Sequence, residues 1–401
     1  MSVARHSKTT LGHVEGDLEV DRDAIISAQD KIVAVDGRVE TGGDVIFEGN
    51  LTALEVDGSD GDLDIRGDLT VQDNIRITDG SLHVSGSLSA SDIDVDRHLE
   101  VSGNVGADDL EVGSRAEIHG TLKAKSVQVG GSLEVLDTAD VEEIDAGGSV
   151  RIAKNVNCKS IDVGGSVVVG GGKVTDQIDV GGSFDSTGPL EFNELDVGGS
   201  VQLKGDCTGK RIDVGGILKV KGNLRFEDID VGGTVDIDGS GEGEDIDIGG
   251  VLRVGGNLNL AGSLEVGGKC RVNQALNADR IEVGGSLEAQ EIKVEDIEIG
   301  GSIATEKGVR AESITIGDRG RARGPLIGNN IRIGEKADVE GVYGKSIVLE
   351  EKSKAEVLHG ESIRVESGSR ILGEVLYSNS LDAGEGVSFA VEPKKVGSLP
   401  A

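Results

Sequence analysis

Between Ile212 and Ile229 the apolar residues fall in pairs with one polar position inside each pair: Ile212/Val214, Leu218/Val220 and Leu224/Phe226, after which Ile229/Val231 begins the pattern again. Alternation with period two is the signature of a half-buried strand. Each pair is therefore a short strand with two inward side chains, and the Gly-Gly, Gly-Asn or charged dipeptides between pairs read as corners. Glycine accepts positive φ without steric cost, which suits it to such turns. A helix is excluded, because its apolar positions would recur at i, i+3 and i+4. The pattern predicts three strands and three corners per turn, a triangular coil.

The coil repeats. The first apolar residue of the phrase recurs at Leu110, Val127, Ile144, Ile161, Ile178, Leu195, Ile212, Ile229 and Ile246, each seventeen residues after the last. Looser copies follow at Leu264, Ile281, Ile297, Ile314, Ile331, Ile347, Ile363 and Leu381, and precede at Ile75 and Ile93. Before Ile75 the period lengthens through Val33 and Leu54, which predicts irregular first turns. A fixed long period of short strands fits neither a sandwich nor a barrel. It predicts an all-β fold: a single elongated, three-sided parallel β-solenoid of about 17 residues per turn, each turn hydrogen-bonded to the one below. Some twenty turns at the strand spacing would span roughly 100 Å. The expected organisation is a flexible tail over 1–13, the solenoid over 14–390 and a second tail over 391–401.

Composition supports this reading. Glycine makes up 64 of 401 residues without a collagen period, and aromatic residues only 2%. A narrow core of Val, Ile and Leu needs no aromatic rings, and six inward side chains per turn, each contributing roughly 1.5–3 kcal/mol when buried, suffice to hold the stack. Cys158, Cys207 and Cys270 fall on inward positions many turns apart, so they are expected as reduced core residues, consistent with a reducing compartment.

Charge adds the most information. The residue inside the repeat phrase is Asp94, Glu111, Gln128, Asp145, Asp162, Asp179, Asp196, Asp213, Asp230, Asp247, Glu265, Glu282 and Glu298 in successive copies. That is a column of carboxylates on one face. Neighbours at the strand spacing repel by about 1 kcal/mol in water, and salt near 1 M shortens the screening length to roughly 3 Å. Two readings compete, the salt-rich cytoplasm of a halophilic archaeon and a cation-binding strip. The net charge of −33, spread over other faces too, favours the first. Such a charge argues against nucleic acid as a partner. Beyond Glu298 the same position holds Thr315, Arg332, Val348 and Arg364, so the column changes sign.

Chemistry is sparse. His6, His13, His83, His98, His119 and His359 show no metal-ligand spacing, and VGGGK (169–173) is not followed by a helix that would complete a phosphate site. No catalytic residue, cofactor site or metal site is assigned, and the chain reads as a non-enzyme. MSVARHSKTTLG lacks the apolar stretch of a signal peptide, and no apolar run is long enough to span a membrane, which together predict a cytoplasmic protein. A membrane hook at the N-terminus would have only Met1 and Val3 as anchors.

These glycine-punctuated V-x-V-x-G turns, with no nucleotide motif and short polar tails, resemble the bactofilins and their archaeal counterparts, the halofilins, over residues 14–390. The resemblance implies a right-handed, three-sided β-helix that polymerises end to end without nucleotide. It also implies a cytoskeletal scaffold of cell shape at the inner face of the membrane, partnered by itself or by a paralogous bactofilin-like protein. This chain is several times longer than a single bactofilin core. Two alternatives share the fold: a surface adhesin or stalk, which needs an export signal, and a β-helix enzyme, which needs a loop-built cleft or a catalytic histidine. The terminal turns of a solenoid leave apolar core and backbone groups open. Tyr377, Leu381, Val387, Phe389 and Val391 are the large apolar residues there and are the predicted self-assembly residues.

Overall fold

The computed structural model describes residues 1–400. Strands account for all its regular structure, and the described residues form no helix. The chain divides into two compact units, Met1–Lys204 and Gly205–Ala401. Each is a parallel β-solenoid, and together they hold about 23 turns of about 17 residues.

Strands stack on strands one turn away, always parallel, and the register follows the repeat phrase. In the first unit Ile75 pairs with Ile93, then Leu110, Val127, Ile144, Ile161, Ile178 and Leu195 in succession. In the second the column runs from Ile212 through Ile229, Ile246, Leu264, Ile281 and Ile297. It continues through Ile314, Ile331, Ile347 and Ile363 to Leu381. We call this face A. Face B carries Leu82, Leu99, Ala116, Leu133, Val150, Val167, Phe184 and Val201 in one inward column. There the small Ala116 and large Phe184 are both fully buried. Face C carries the third strand of each coil, for example Leu224, Gly241 and Leu258.

The corners are built differently from the sequence expectation. None of the Gly-Gly corners from Gly130-Gly131 to Gly300-Gly301 has positive φ, whereas Gly43, Gly222 and Gly368 do. The requirement is close approach of successive turns. A Cβ on Gly181 would sit 2.5 Å from the carbonyl oxygen of Gly164, and one on Gly198 would sit 2.7 Å from that of Gly181. Any side chain at this corner would have to push two coils apart.

Beyond residue 301 the construction changes. The short strands merge into long ones, Ser302–Ile316, Arg321–Ile333, Asp338–Leu349 and Lys354–Val365. Their A-to-B corners use left-handed residues, as the first coils do at Asp23, Gly43, Asp60 and Asp79: Arg319, Lys336 and Lys352 with φ of 58°, 59° and 57°, then Gly368 and Gly386. The N–H groups of Arg319, Lys336, Lys352 and Gly368 each reach one coil onward, as from Lys336 to the Glu351 carbonyl at 2.9 Å.

Residues 1–13, expected as a tail, instead form strands. Ser2–Val3 pairs with Glu19–Val20, and Lys8–Leu11 with Ile25–Ala28, burying Val3, Leu11 and Val14. The apolar pattern misses this coil because Ser7 and Thr9 interrupt it, while backbone pairing needs no apolar side chain. The long early period comes from Ala24–Val35, whose register slips between Ser27 and Ile32 around left-handed Asp30 and Lys31. Within 391–401, Lys394–Lys395 pairs with Leu376–Tyr377, and Ala401 lies outside the described residues.

Candidate assembly surface

The last turns of the second unit hold the residues singled out for self-assembly. Leu381 continues the column of Ile347 and Ile363, and Phe389 continues that of Ala355 and Ile371. Their predecessors Ile363, Val365 and Ile371 are fully buried, because another coil covers them. Leu381, Val387 and Phe389 are half-buried, and Val391 is 44% exposed. The register places these four on one coil. Tyr377 differs: it follows Gly328, Gly344 and Gly360 in register and lies beside the strand Lys394–Lys395, so the chain itself occupies its open edge. Leu372, 47% exposed and next to Ile371, adds an apolar residue that the sequence reading missed. Its signal was an apolar residue directly after an inward one, where the alternation calls for a polar one.

The acidic column lies on face A as expected. Asp145, Asp162, Asp179 and Asp196 are in register on successive coils, and each is exposed. Partial burial between coils, followed by the charges of Asp162 and Asp196, lifts the Asp179 carboxyl above its ordinary range. Three acids elsewhere behave in the opposite way. A hydrogen bond from Lys159 lowers Glu142, one from Lys154 lowers Asp137, and the Gly324 N–H with Arg323 lowers Glu340. Opposite charges one coil apart recur on face B, as in Arg253–Asp236 at 3.0 Å, Arg271–Glu288 at 3.2 Å and Arg323–Glu340 at 2.9 Å.

The remaining candidates for chemistry are structural. Cys158, Cys207 and Cys270 are buried free thiols, and burial pushes Cys158 and Cys270 up to about 12. His6, His13, His83, His119 and His359 each lie beside a carboxylate, the nearest being His13 to Asp36 at 2.9 Å; that hydrogen bond raises the imidazole. Among the described residues no group of three or more His, Cys, Asp or Glu is arranged to hold a metal ion. VGGGK lies inside the strand Ser166–Val180, where Gly171 and Gly172 take positive φ just after the register against the preceding coil slips between Ile152 and Asn155. Among the described residues no helix is long and apolar enough to cross a membrane. No protein-family model matches the chain, and no curated protein and no solved structure matches it either.

Proposed function

We propose that this chain is a structural, polymer-forming scaffold that associates end to end through the last coil of its second unit, without nucleotide. The observation that carries the reading is the difference between Ile363 and Ile371, fully covered, and Leu381 and Phe389, which continue the same columns half-buried. A parallel coil uncovered on one side offers apolar surface and unpaired backbone groups together, and a second solenoid end satisfies both. The resemblance to bactofilins extends this to a cytoskeletal scaffold of cell shape in the cytoplasm, at the inner face of the membrane, joined to itself or to a paralogous protein.

Phe389→Arg tests the joint, because it would bury an unpaired charge at a cost of about 3–5 kcal/mol. Sedimentation velocity without ATP or GTP should show assemblies that grow with concentration for the wild type and nothing larger than a dimer for the variant. A wild type that stays monomeric over a wide range of concentration and salt, or a variant that assembles equally well, would refute it.

A further inference from the structure

Face A of the second unit carries two halves of different character. In its first coils the outward column is Asp230, Asp247, Glu265, Glu282 and Glu298, all exposed and in register, and none forms an ion pair within the chain. Asp228, Asp245 and Asp296 stand two residues before three of them and add to the same strip, with Ser263 and the single cation Arg280 before the other two. In the later coils that flanking column becomes Ser313, Asn330, Ser346, Ser362 and Ser380, short neutral groups in unbroken register. The central column there holds Arg332 and Arg364, whose side chains are 69% and 63% exposed. Each keeps one carboxylate, Glu350 at 2.5 Å and Asp382 at 3.4 Å, which leaves donors of the guanidinium fork free. Face B, by contrast, largely pairs its charges within the chain.

We infer that face A of the second unit docks on face A of a second copy, antiparallel, so that each copy's arginine half lies over the other's acidic half. Three observations support this. The charges complement one another only when the two strips run in opposite directions, and that arrangement is a two-fold contact made twice over. Both strips repeat at the parallel-strand spacing, so arginines over one coil keep step with carboxylates along the whole contact. The acidic coils are also flat along the face B edge, because Gly232-Gly233, Gly249-Gly250, Gly267-Gly268, Gly284-Gly285 and Gly300-Gly301 put no side chain there. Two sheet faces can then approach with Arg332 and Arg364 over the stretch Asp247–Glu298. At about 0.15 M salt the screening length is about 8 Å, which damps the repulsion between two acidic molecules while leaving contact pairs effective.

This contact is separate from the end joint, and the experiment is run in the Phe389→Arg background to keep them apart. The unsubstituted face should self-associate reversibly in sedimentation equilibrium at that salt. Arg332→Glu/Arg364→Glu and Glu265→Arg/Glu282→Arg should each weaken self-association about tenfold or more, since each sets like charges together. All four positions are exposed, and circular dichroism of each variant checks that the fold survives loss of the Arg332–Glu350 and Arg364–Asp382 pairs. Mixing the two variants restores opposite charges at both halves and should give a mixed dimer at least as tight as the unsubstituted one. Undiminished self-association of either variant, a mixture that stays monomeric, or a monomeric unsubstituted face would overturn the inference. So would an oligolysine that binds the monomeric face, which would assign the acidic strip to a foreign cationic partner.

Discussion

The coils between Val127 and Gly301 and those between Ser302 and Val387 solve the same problem in two ways. Both turn the chain from face A to face B once per coil. The first set does it with Gly-Gly at ordinary φ, because successive corners stack so closely that a Cβ would strike the carbonyl one coil back. The second does it with a left-handed residue, and lysine or arginine occupies that position as readily as glycine. Charge divides at the same place: residues 301–401 hold 15 acidic and 14 basic side chains, so nearly all of the net −33 lies in residues 1–300. A glycine in a repeat can thus mark an absence of room rather than a need for unusual backbone, and only the structure separates the two.

The largest expected effect comes from reversing the corner chemistry. Gly181→Ala should destabilise the first unit by about 1–3 kcal/mol through overpacking. Lys336→Gly should stabilise the second by about 0.5–1 kcal/mol, because glycine relieves the left-handed strain and offsets only part of it with backbone entropy. Denaturant midpoints of the full chain would check both, and changes of the same sign would break the contrast.

A second, smaller difference concerns acid. The raised Asp179 carboxyl contributes stability that is present below its unfolded value and lost as pH rises through its folded one, so the column gains stability on acidification. The lowered Glu340 and Glu335 contribute stability present above their unfolded values and lost as pH falls through the folded ones. Amide exchange in Ile161–Val197 should therefore become relatively more protected, against Arg321–Leu349, as pH falls from 7 to about 4. Asn at positions 162, 179 and 196 should remove that shift in the first stretch alone.

The smallest effect is salt. The thermal midpoint should rise between about 0.1 and 2 M KCl by more than it does when Asp179, Asp196, Asp213 and Asp230 are replaced with Asn. Equal responses would take the column out of the explanation.

Much of this was legible in the sequence. The i, i+2 pairs and the seventeen-residue period are direct consequences of inward strand positions, and they located the coil, the buried cysteines and the acidic column. The first coil was hidden because Ser7 and Thr9 break its apolar pattern while its backbone pairs regardless. The role of the Gly-Gly corners was hidden because close approach involves a residue a full turn away. Of the five predicted assembly residues, Leu381, Val387, Phe389 and Val391 share the last coil. Tyr377 does not, because a pairing made by Lys394–Lys395 through backbone alone leaves no mark in the side-chain pattern.

Electron microscopy of the purified 401-residue chain, with no nucleotide added, tests the central claim most directly. The account predicts filaments built of solenoids joined end to end, unchanged by ATP or GTP and absent for Phe389→Arg. Isolated particles of one chain at every concentration and salt, or filaments that form only with nucleotide, would contradict it.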